Sequence, residues 1–425
     1  MTVNRRPNNS FARSLRLLFN RRFGTFWFAS LLSNIGTWAQ MVVQPWLLLN
    51  LGASSFLLGC DTFAMGAPVF LLTVYGGALA DRADRRQVIG VFQSVQMLCP
   101  TLVVALLIAG IVRPWMVITL SLVIGVTDAL SMPSFQTIVS SIVKREDLAT
   151  GIALNTTQFN LSRILGPALA GALMASVGAL GAFAVSAASY IPFILVALWI
   201  LPRSGTRAPL RSELHHSRLI ADLGAIARTS DLRAALLTVL TTSLLCAPLI
   251  TFCPVLVKHA LHGNMADFSI AMGAFGLGGL LGAVALLGVD ERRDRRRLAS
   301  WLAAAYGTVV VLAAVDPWLW ALPVLLVAAG AAMTASNATA NGVLQVGAPP
   351  HLLGQSISLY MLAMRGGVAI GGLVSGITVS AMGVRSALVV NGGLAVLLQI
   401  AIARGRRDGA RPFGGSFGTV SKVLP

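Results

Sequence analysis

Charged residues are scarce in this sequence: only 11% of its 425 residues are charged, whereas 56% are hydrophobic. A soluble globular chain has roughly 25% charged residues, so this composition excludes an ordinary water-exposed surface. The mean hydropathy of +0.78 indicates lipid as the surrounding medium. An apolar helix of about 20 residues crosses a bilayer core, and the chain is long enough for about a dozen such helices. The composition therefore predicts a helical protein that passes through the membrane many times.

Cysteine and histidine are also rare, with 4 and 5 residues respectively. The cysteines lie in apolar stretches without metal-site or disulfide spacing, so we predict that they pack as small apolar groups. They are Cys60, Cys99, Cys246 and Cys253. No apolar run places a histidine beside an acid, which argues against a membrane-embedded enzyme, because such chemistry needs clustered polar groups. A glycine-rich loop ending in Lys-Ser or Lys-Thr is also missing, which excludes ATP as the direct energy source. We predict no enzymatic activity, no metal and no cofactor.

Acidic residues are few, and the net charge is +17. Such an excess of positive charge would suggest nucleic acid as a partner. However, the basic residues lie mostly at the ends of the apolar runs and in alternate loops, as membrane topology requires. We therefore predict that the chain associates with a lipid bilayer and not with nucleic acid.

Charges, glycines, prolines and polar clusters divide the apolar sequence into two sets of six runs. The first set covers residues 25–50, 55–80, 88–111, 115–137, 150–176 and 181–202. The second set covers residues 233–257, 267–289, 298–315, 318–341, 353–380 and 384–404. We predict an all-α membrane protein with 12 transmembrane helices in two pseudo-symmetric six-helix bundles, 23–202 and 233–404. An arm (1–22), a central loop with a short amphipathic helix (203–232) and a disordered tail (405–425) complete the predicted organisation.

The orientation in the membrane follows from the loops. Most of the 32 basic residues lie in the arm, the central loop, the tail and the turns at 81–87, 141–149 and 290–297. The loops of the opposite side contain Arg113, Lys258 and Arg385. Because loops rich in lysine and arginine stay in the cytoplasm, we predict that both termini and the central loop are cytoplasmic. The predicted location is the cell (inner) membrane.

The most specific local motif is Gly77-Ala-Leu-Ala-Asp81-Arg82-Ala-Asp84-Arg85-Arg86, at the end of the second run. An acid beside several arginines in a tight turn can form a charge-assisted network that latches neighbouring helix ends together. This turn resembles the signature between helices 2 and 3 of the major facilitator superfamily. It matches that signature at Gly77, Asp81, Arg82, Arg85 and Arg86. It departs at Asp84, where the family usually has glycine, so we expect a less tight turn. The alternative is a basic turn that only sets the topology.

The resemblance covers nearly the whole chain. SNIGTWAQ in the first run, NLSRILGPALAG at 160–171 and LGQSISLYMLAMRGG at the eleventh run are similar to the drug and siderophore exporter branch. Gly166, Pro167 and Gly171 match the helix-5 signature of these exporters. DERRDRRR at 290–297 resembles a degenerate second copy of the turn signature. Many relatives have an arginine near Phe135 and an acid near Ser141. Because this sequence has neither, we expect fewer charged groups in the latch.

The resemblance implies a two-bundle secondary transporter that works by alternating access as a monomer. Its implied substrate is a small amphiphilic or hydrophobic compound, such as a drug, siderophore or metabolite, that is exported in exchange for protons. An uncoupled lipid or metabolite facilitator is one alternative. A non-transporting membrane scaffold or sensor is the other.

Charged residues inside the apolar runs are costly in a bilayer and mark functional sites by default. They are Asp61, Asp128, Arg163 and Arg365. Asp128 and Arg163 lie about equally far from the turn at 144–147 that joins the fourth and fifth runs. We therefore predict that they share a depth and form an ion pair, which is either permanent or released when Asp128 takes up a proton. Asp61 has no base nearby in the sequence, and three roles are open: it binds a proton, it pairs with Arg365, or it faces an outer vestibule.

Uncharged polar residues of the first, seventh and tenth runs would line the substrate cavity if the family architecture holds, with Trp38 beside them. They are Asn34, Gln40, Gln44, Thr242, Asn337 and Asn341. Hydrogen bonds between helices explain such residues equally well.

Overall fold

The computed structural model describes residues 10–200, 229–288, 294–349 and 352–405. The regular structure of these residues is helical throughout. The first half comprises α1 (Ser10–Leu18), α2 (Arg21–Asn50), α3 (Ser55–Arg82), α4 (Arg85–Ile108), α5 (Pro114–Ile142), α6 (Leu148–Ser176) and α7 (Gly178–Trp199). The second half comprises α8 (Ser230–Ala260), α9 (Met265–Leu287), α10 (Arg295–Val315), α11 (Leu322–Gly347), α12 (Leu353–Met382) and α13 (Val384–Gly405).

Nine stretches are long and apolar enough to cross a membrane, within the residues that the structure describes. Every predicted run overlaps one of the helices from α2 to α13. The tenth predicted run, 318–341, begins too early, since α11 starts at Leu322 after a turn in which Asp316 accepts a hydrogen bond from the backbone nitrogen of Trp318. The predicted central-loop helix, the tail beyond residue 405 and residues 290–293 of the second signature copy lie outside the described residues.

Helix α8 is irregular for a reason that its sequence supplies. It changes to π-helical turns at Thr242–Cys246 and Leu256–Ala260, and Pro248 and Pro254 lie between them. Proline removes a backbone donor and crowds the preceding turn. The π-helical turns are local changes of helix geometry that accommodate these interruptions of the backbone hydrogen bonds. The hydroxyl of Tyr306 in α10 donates to the Cys246 carbonyl over 3.1 Å. Such substitute hydrogen bonds make an interrupted helix tolerable at membrane depth.

The helices pack as two halves. Within the first half, α2 contacts α6 and α7, α3 contacts α5, and α4 contacts α7; within the second, α9 contacts α11 and α10 contacts α13. The halves meet most extensively along the helix pairs α3 with α12 and α6 with α9. Small residues permit these approaches: a Cβ at Gly59 in α3 would stand 3.1 Å from the Gly376 Cα in α12. Without a hydrophobic force between helices in lipid, close van der Waals contact of this kind holds the halves together.

The two ends of the molecule differ in how the halves are joined. We call the end where α2 begins and α13 ends the terminal end, and the opposite end the far end. At the far end one apolar core includes residues of both halves, such as Leu48 and Phe252. At the terminal end each half has its own core, one around Phe26 and Phe193 and the other around Leu344. Among the residues that the structure describes, the halves therefore share one apolar core at the far end and have separate cores at the terminal end.

The contact between α9 and α11 depends on glycine at two facing positions. A Cβ at Gly278 would overlap the backbone oxygen of Val327, and one at Gly330 would overlap that of Phe275. We expect Gly278→Ala to destabilise the protein by about 1–3 kcal/mol, because two helix backbones must move apart.

The matched control is Gly273→Ala on the same helix, since a Cβ at Gly273 would meet nothing within 4 Å. We expect it to be neutral or slightly stabilising, because alanine is the better helix former. The midpoint of thermal unfolding, measured for both purified variants in one detergent, checks the prediction. Equal midpoints for the two variants would contradict the close contact.

Candidate functional site

The signature turn joins α3 to α4. Helix α3 ends at Arg82, the next two residues are extended, and α4 begins at Arg85. Asp84, which replaces the usual glycine, caps α4, and its Oδ1 accepts a hydrogen bond from the backbone nitrogen of Arg86 over 3.1 Å. An acid is favourable at this position because the first turn of a helix has unpaired N–H groups. The side chains of Asp81, Arg82 and Arg85 lie outside the described part of the structure, so the latch stays a prediction.

The helix-5 signature lies in α6 and contacts both halves. A Cβ at Gly166 would overlap the side chain of Trp38 in α2, within the first half. A Cβ at Gly171 would stand 2.7 Å from the Ser269 Cβ of α9, in the second half. Pro167 is buried between them and removes one backbone donor from the helix. The motif therefore lies where α6 passes from the interior of its own half to the boundary with the other.

Asp61 belongs to a hydrogen-bonded cluster that joins α2, α3 and α5. Its side chain is almost enclosed, since the residue is 7% exposed. Gln44 Nε2 donates to both carboxylate oxygens over 3.0 and 2.9 Å, and Ser121 Oγ donates to Oδ1 over 2.6 Å. Two of the three predicted roles are therefore wrong for this structure. Asp61 does not face an outer vestibule, and Arg365, which the structure also describes, makes its contact elsewhere.

Asp128 is half-buried and connects to α4 and to the second half. Gln96 Nε2 donates to Asp128 Oδ1 over 2.7 Å, and Gln93 Nε2 donates to Gln96 Oε1 over 2.9 Å. Arg365 of α12 places its Nη2 3.7 Å from the Met132 sulfur. Met132 lies one helical turn along α5 from Asp128. The charges of Asp128 and Arg365 therefore attract each other across the boundary between the halves.

Arg163 does not pair with Asp128. Its guanidinium carbon lies 5.4 Å from the ring centre of Trp38 and 5.8 Å from that of Phe275 in α9. The structure describes both Asp128 and Arg163 and forms no ion pair between them, so the predicted pair is wrong for this structure. The equal distance of the two residues from the turn at 144–147 sets their depth along the helices. It does not set the rotation of each helix, which sends Arg163 toward α9 and Asp128 toward α4.

The predicted cavity residues fall into two groups. Gln40 and Gln44 belong to the Asp61 cluster, and the hydroxyl of Thr242 donates to the backbone of its own helix at Thr238. These three residues are buried and hydrogen-bonded within the packed helices. The others are half-buried and remain candidates: Asn34, Trp38, Asn337 and Asn341.

Helices α6 and α11 each carry a polar stripe. The stripe of α11 consists of Thr334, Asn337, Asn341 and Gln345, whereas the opposite face of this helix is buried in the second half. The stripe of α6 consists of Thr156, Asn160 and Arg163. Residues three or four apart share one helix face. Because polar groups facing lipid are costly, we assign both stripes to the gap between the halves.

The two stripes converge at Gly279 of α9. A Cβ there would stand 3.0 Å from Thr334 Oγ1 and 3.6 Å from Arg163 Nη1, so glycine leaves these two polar groups beside each other. Phe275, one turn earlier on α9, already belongs to the shared core of the far end. Thr156 and Gln345, at the terminal ends of the two stripes, are exposed, and we infer that the gap closes at Arg163 and opens toward the terminal end. We call it the central passage and define it by the two stripes.

Several residues of this site were not predicted from the sequence. The sequence does not single out Gln96 and Ser121, which donate to Asp128 and Asp61, nor does it single out Thr334. Thr334 could have been found, because it extends the predicted pair of Asn337 and Asn341 at helical spacing. Phe275 gives no signal, since it is one apolar residue within an apolar run.

The sequence matches the family model for transmembrane secretion effectors over residues 13–407. The chain belongs to this family. The secretion effectors are transporters of the major facilitator superfamily and not enzymes. The resemblance predicted from the signature turn and the α6 motif is confirmed, as is the prediction of a multi-pass membrane transporter.

Two curated relatives are similar to this secretion effector. The Staphyloferrin A transporter of Staphylococcus aureus is 25% identical over 269 residues, which are 61% of this chain and 66% of the relative, just under two thirds of its length. The multidrug efflux pump Tap of Mycolicibacterium fortuitum is 25% identical over 341 residues, which are 78% of this chain and 83% of the pump.

Solved structures support the fold of this secretion effector. The nucleoside transporter NupG gives a TM-score of 0.70 at 15% identity, over 91% of this chain and 99% of NupG. A bacterial homologue of the human lysosomal transporter Spinster, in an inward-facing and occupied conformation, also gives 0.70 at 15% identity, over 91% and 96%. At these identities the likeness is one of fold alone.

Proposed function

We propose that this protein is a secondary active transporter that exports a small amphiphilic or hydrophobic compound in exchange for protons, by alternating access. The observation that carries the proposal is the unequal joining of the halves, with one shared core at the far end and separate cores at the terminal end. Transporters of this kind open a central site to one side of the membrane at a time by rocking one half against the other. A polar passage that is closed at one end is what one such state requires.

The proposed topology has α2 to α13 as twelve membrane spans in two bundles of six, within 23–202 and 233–404. The excess of basic residues in the arm, the central loop and the tail supports a cytoplasmic position for these segments and for both termini. The central passage then opens to the cell interior, which is the side from which an exporter takes its substrate. Because both halves of the passage come from one chain, a monomer suffices.

The proposed proton path uses the two acids inside the apolar helices of the first half, Asp61 and Asp128. Asp128 lies half-buried, and a proton on it would weaken its attraction to Arg365 of the second half. Asp61 is enclosed within the far-end region and would reach water only when that end opens. Ser121, which binds Asp61, lies two helical turns from Asp128 on α5. In the proposed cycle Asp128 would exchange protons with water at the terminal end in one state, and Asp61 would do so at the far end in the other.

The relatives support the substrate class. One is named for a siderophore and the other for multidrug efflux, and both names denote transport of small molecules. We take the proposed direction, export, from the name of the second.

Proteoliposomes that contain a pH-sensitive dye test the proposal. The probes are ethidium as a cation, anilinonaphthalene sulfonate as an anion and Nile red as a neutral compound. We expect an imposed pH gradient to drive uptake of at least one probe about tenfold faster than in protein-free vesicles, which corresponds to about 1.4 kcal/mol in the barrier. The same probe should move protons in the opposite direction, and a protonophore should abolish both signals.

Two results would contradict the proposal. Probe movement that is indifferent to the gradient and the protonophore would indicate an uncoupled facilitator, and a fluorescent phospholipid in the same assay would identify a lipid facilitator. No movement of any probe and no proton flux would indicate a scaffold or sensor.

A further inference from the structure

We propose that Arg163 and Thr334 bind the anionic group of the substrate, a carboxylate or sulfonate, while Trp38 and Phe275 contact its aromatic or apolar body. The inference rests on the proposed function, because it assigns a substrate class to the central passage. Four features of the passage lead to it.

The first feature is a positive charge without a compensating acid. In the part of the chain that the structure describes, Arg163 forms no ion pair, and its guanidinium lies over the rings of Trp38 and Phe275. A guanidinium group stays charged in proteins, and a buried charge is costly unless it is paired. The face of an aromatic ring compensates only part of that cost. An anionic ligand would supply the missing partner.

The second feature is a hydroxyl with no partner beside that charge. Thr334 Oγ1 is enclosed and has no hydrogen-bond partner among the described residues. Buried polar atoms normally have partners, so an unpaired one calls for an explanation such as a ligand. A threonine hydroxyl can donate one hydrogen bond, and a guanidinium can donate two parallel ones to a carboxylate. Arg163 and Thr334 can therefore hold one anionic group together.

The third feature is the space between these two groups. Gly279 has no side chain, and the position of its missing Cβ is flanked by Thr334 Oγ1 at 3.0 Å and Arg163 Nη1 at 3.6 Å. A larger residue at 279 would come between the guanidinium and the hydroxyl. Glycine keeps both accessible from the passage.

The fourth feature is the apolar surface next to the charge. Trp38 and Phe159 form an edge-to-face pair with ring centres 5.9 Å apart, and Phe159 is 45% exposed. Ligand sites typically combine aromatic walls with a few oriented polar groups. The other arginine of the apolar runs, Arg365, differs, because its charge is attracted by that of Asp128. Arg163 is therefore the cation assigned to the ligand.

Calorimetric titration of the purified full-length protein in detergent tests the inference. The probes are naphthalene carboxylate and naphthalene carboxamide, which have nearly the same shape and differ in charge at neutral pH. We expect the wild type to bind the carboxylate about tenfold more tightly than the carboxamide, a difference typical of a charge-assisted hydrogen bond. In Arg163→Gln the ratio should fall to about one while the affinity for the carboxamide stays the same. Arg163→Lys should retain part of the preference, since it keeps the charge but not the fork.

Two further variants control for folding and for general charge effects. Thr334→Val keeps the side-chain shape and removes the hydroxyl, and it should weaken carboxylate binding about threefold to tenfold. If Arg163→Gln fails to fold, Thr334→Val alone tests whether this site binds the anionic group. Arg113→Gln removes the same charge from an exposed position at the far end and should leave the ratio unchanged.

The inference is overturned if the wild type binds the two probes equally, or if Arg163→Gln or Thr334→Val keeps the full preference. Because this titration needs no transport, it separates the inference from the proposed function. If the protein prefers the carboxylate but no probe moves in response to the pH gradient, only the proposed function is contradicted. If a probe moves in response to the pH gradient but the protein shows no preference for the carboxylate, only the inference is contradicted.

Discussion

Asp128→Asn is expected to abolish gradient-driven transport and to leave exchange of substrate between the two sides of the membrane intact. Asparagine can still accept the hydrogen bond from Gln96, so the local structure of α4 and α5 should persist. It cannot carry a proton, and its attraction to Arg365 is lost in every state. We expect gradient-driven probe uptake to fall to the level of protein-free vesicles, whereas exchange stays within about threefold of the wild type, less than 1 kcal/mol in the barrier.

The controls for this prediction separate the loss of coupling from the loss of structure. Glu146→Gln removes a carboxylate from an exposed turn at the terminal end and should leave both rates unchanged. Asp61→Asn should lower the thermal midpoint as well as coupling, because its amide nitrogen would face Gln44 Nε2 or Ser121 Oγ, which both donate to the present carboxylate. If Asp128→Asn retains wild-type coupling, Asp128 is not the proton-binding group.

The helices and their order could be predicted from the sequence because apolar runs bounded by charges are visible along the chain and do not depend on how the helices pack. The first predicted run, residues 25–50, falls within α2 at Arg21–Asn50, and the fifth, 150–176, falls within α6 at Leu148–Ser176. A span must be apolar along its whole length to cross the bilayer core, so its limits follow from composition alone. The late start of α11 at Leu322 is an exception, since Asp316 accepts a hydrogen bond from the backbone nitrogen of Trp318 in a turn before the helix.

The partners of the buried charges could not be predicted in the same way. Depth follows from counting residues, but the direction of a side chain depends on how each helix is rotated, and a uniformly apolar helix gives little indication of rotation. Asp128 and Arg163 were placed at one depth, yet Arg163 faces the second half and Asp128 faces Gln96. Glutamines and serines that satisfy buried acids look like any other polar residue in an apolar run until the helices are packed.

A departure from a family pattern was also informative only once the structure was known. Asp84 interrupts the signature turn in sequence, and a looser turn was the expectation. In the structure the residue has ordinary extended backbone angles and caps α4 through the Arg86 nitrogen. The side chain that breaks the pattern therefore fixes the start of the next helix.

A disulfide between α3 and α12 at the far end is expected to stop transport. Thr62 Cβ lies 3.0 Å from the position that a Cβ on Gly372 would occupy. Cβ atoms joined by a disulfide are about 3.5–4.5 Å apart, so a small outward shift accommodates the bond in Thr62→Cys, Gly372→Cys. Alternating access requires these helices to separate when the far end opens. The oxidised double variant should therefore transport at the level of protein-free vesicles, and a reductant should restore it.

The measurement compares gradient-driven probe uptake by the same double variant before and after reduction, in a background without the four native cysteines. These cysteines are free in the structure, and Cys60 is two residues from Thr62, so it would otherwise compete for the new thiol. Mass spectrometry after thiol alkylation gives the fraction of protein that is cross-linked, and Thr62→Cys alone controls for oxidation that does not link the helices. A fully cross-linked protein that transports as fast as its reduced form would show that the far end does not open, and a mechanism in which the halves rock against each other would then be wrong. If transport instead falls in proportion to the cross-linked fraction, substrate movement requires the separation of α3 from α12. This conclusion holds because the disulfide does not restrain the terminal end, where the halves have separate cores.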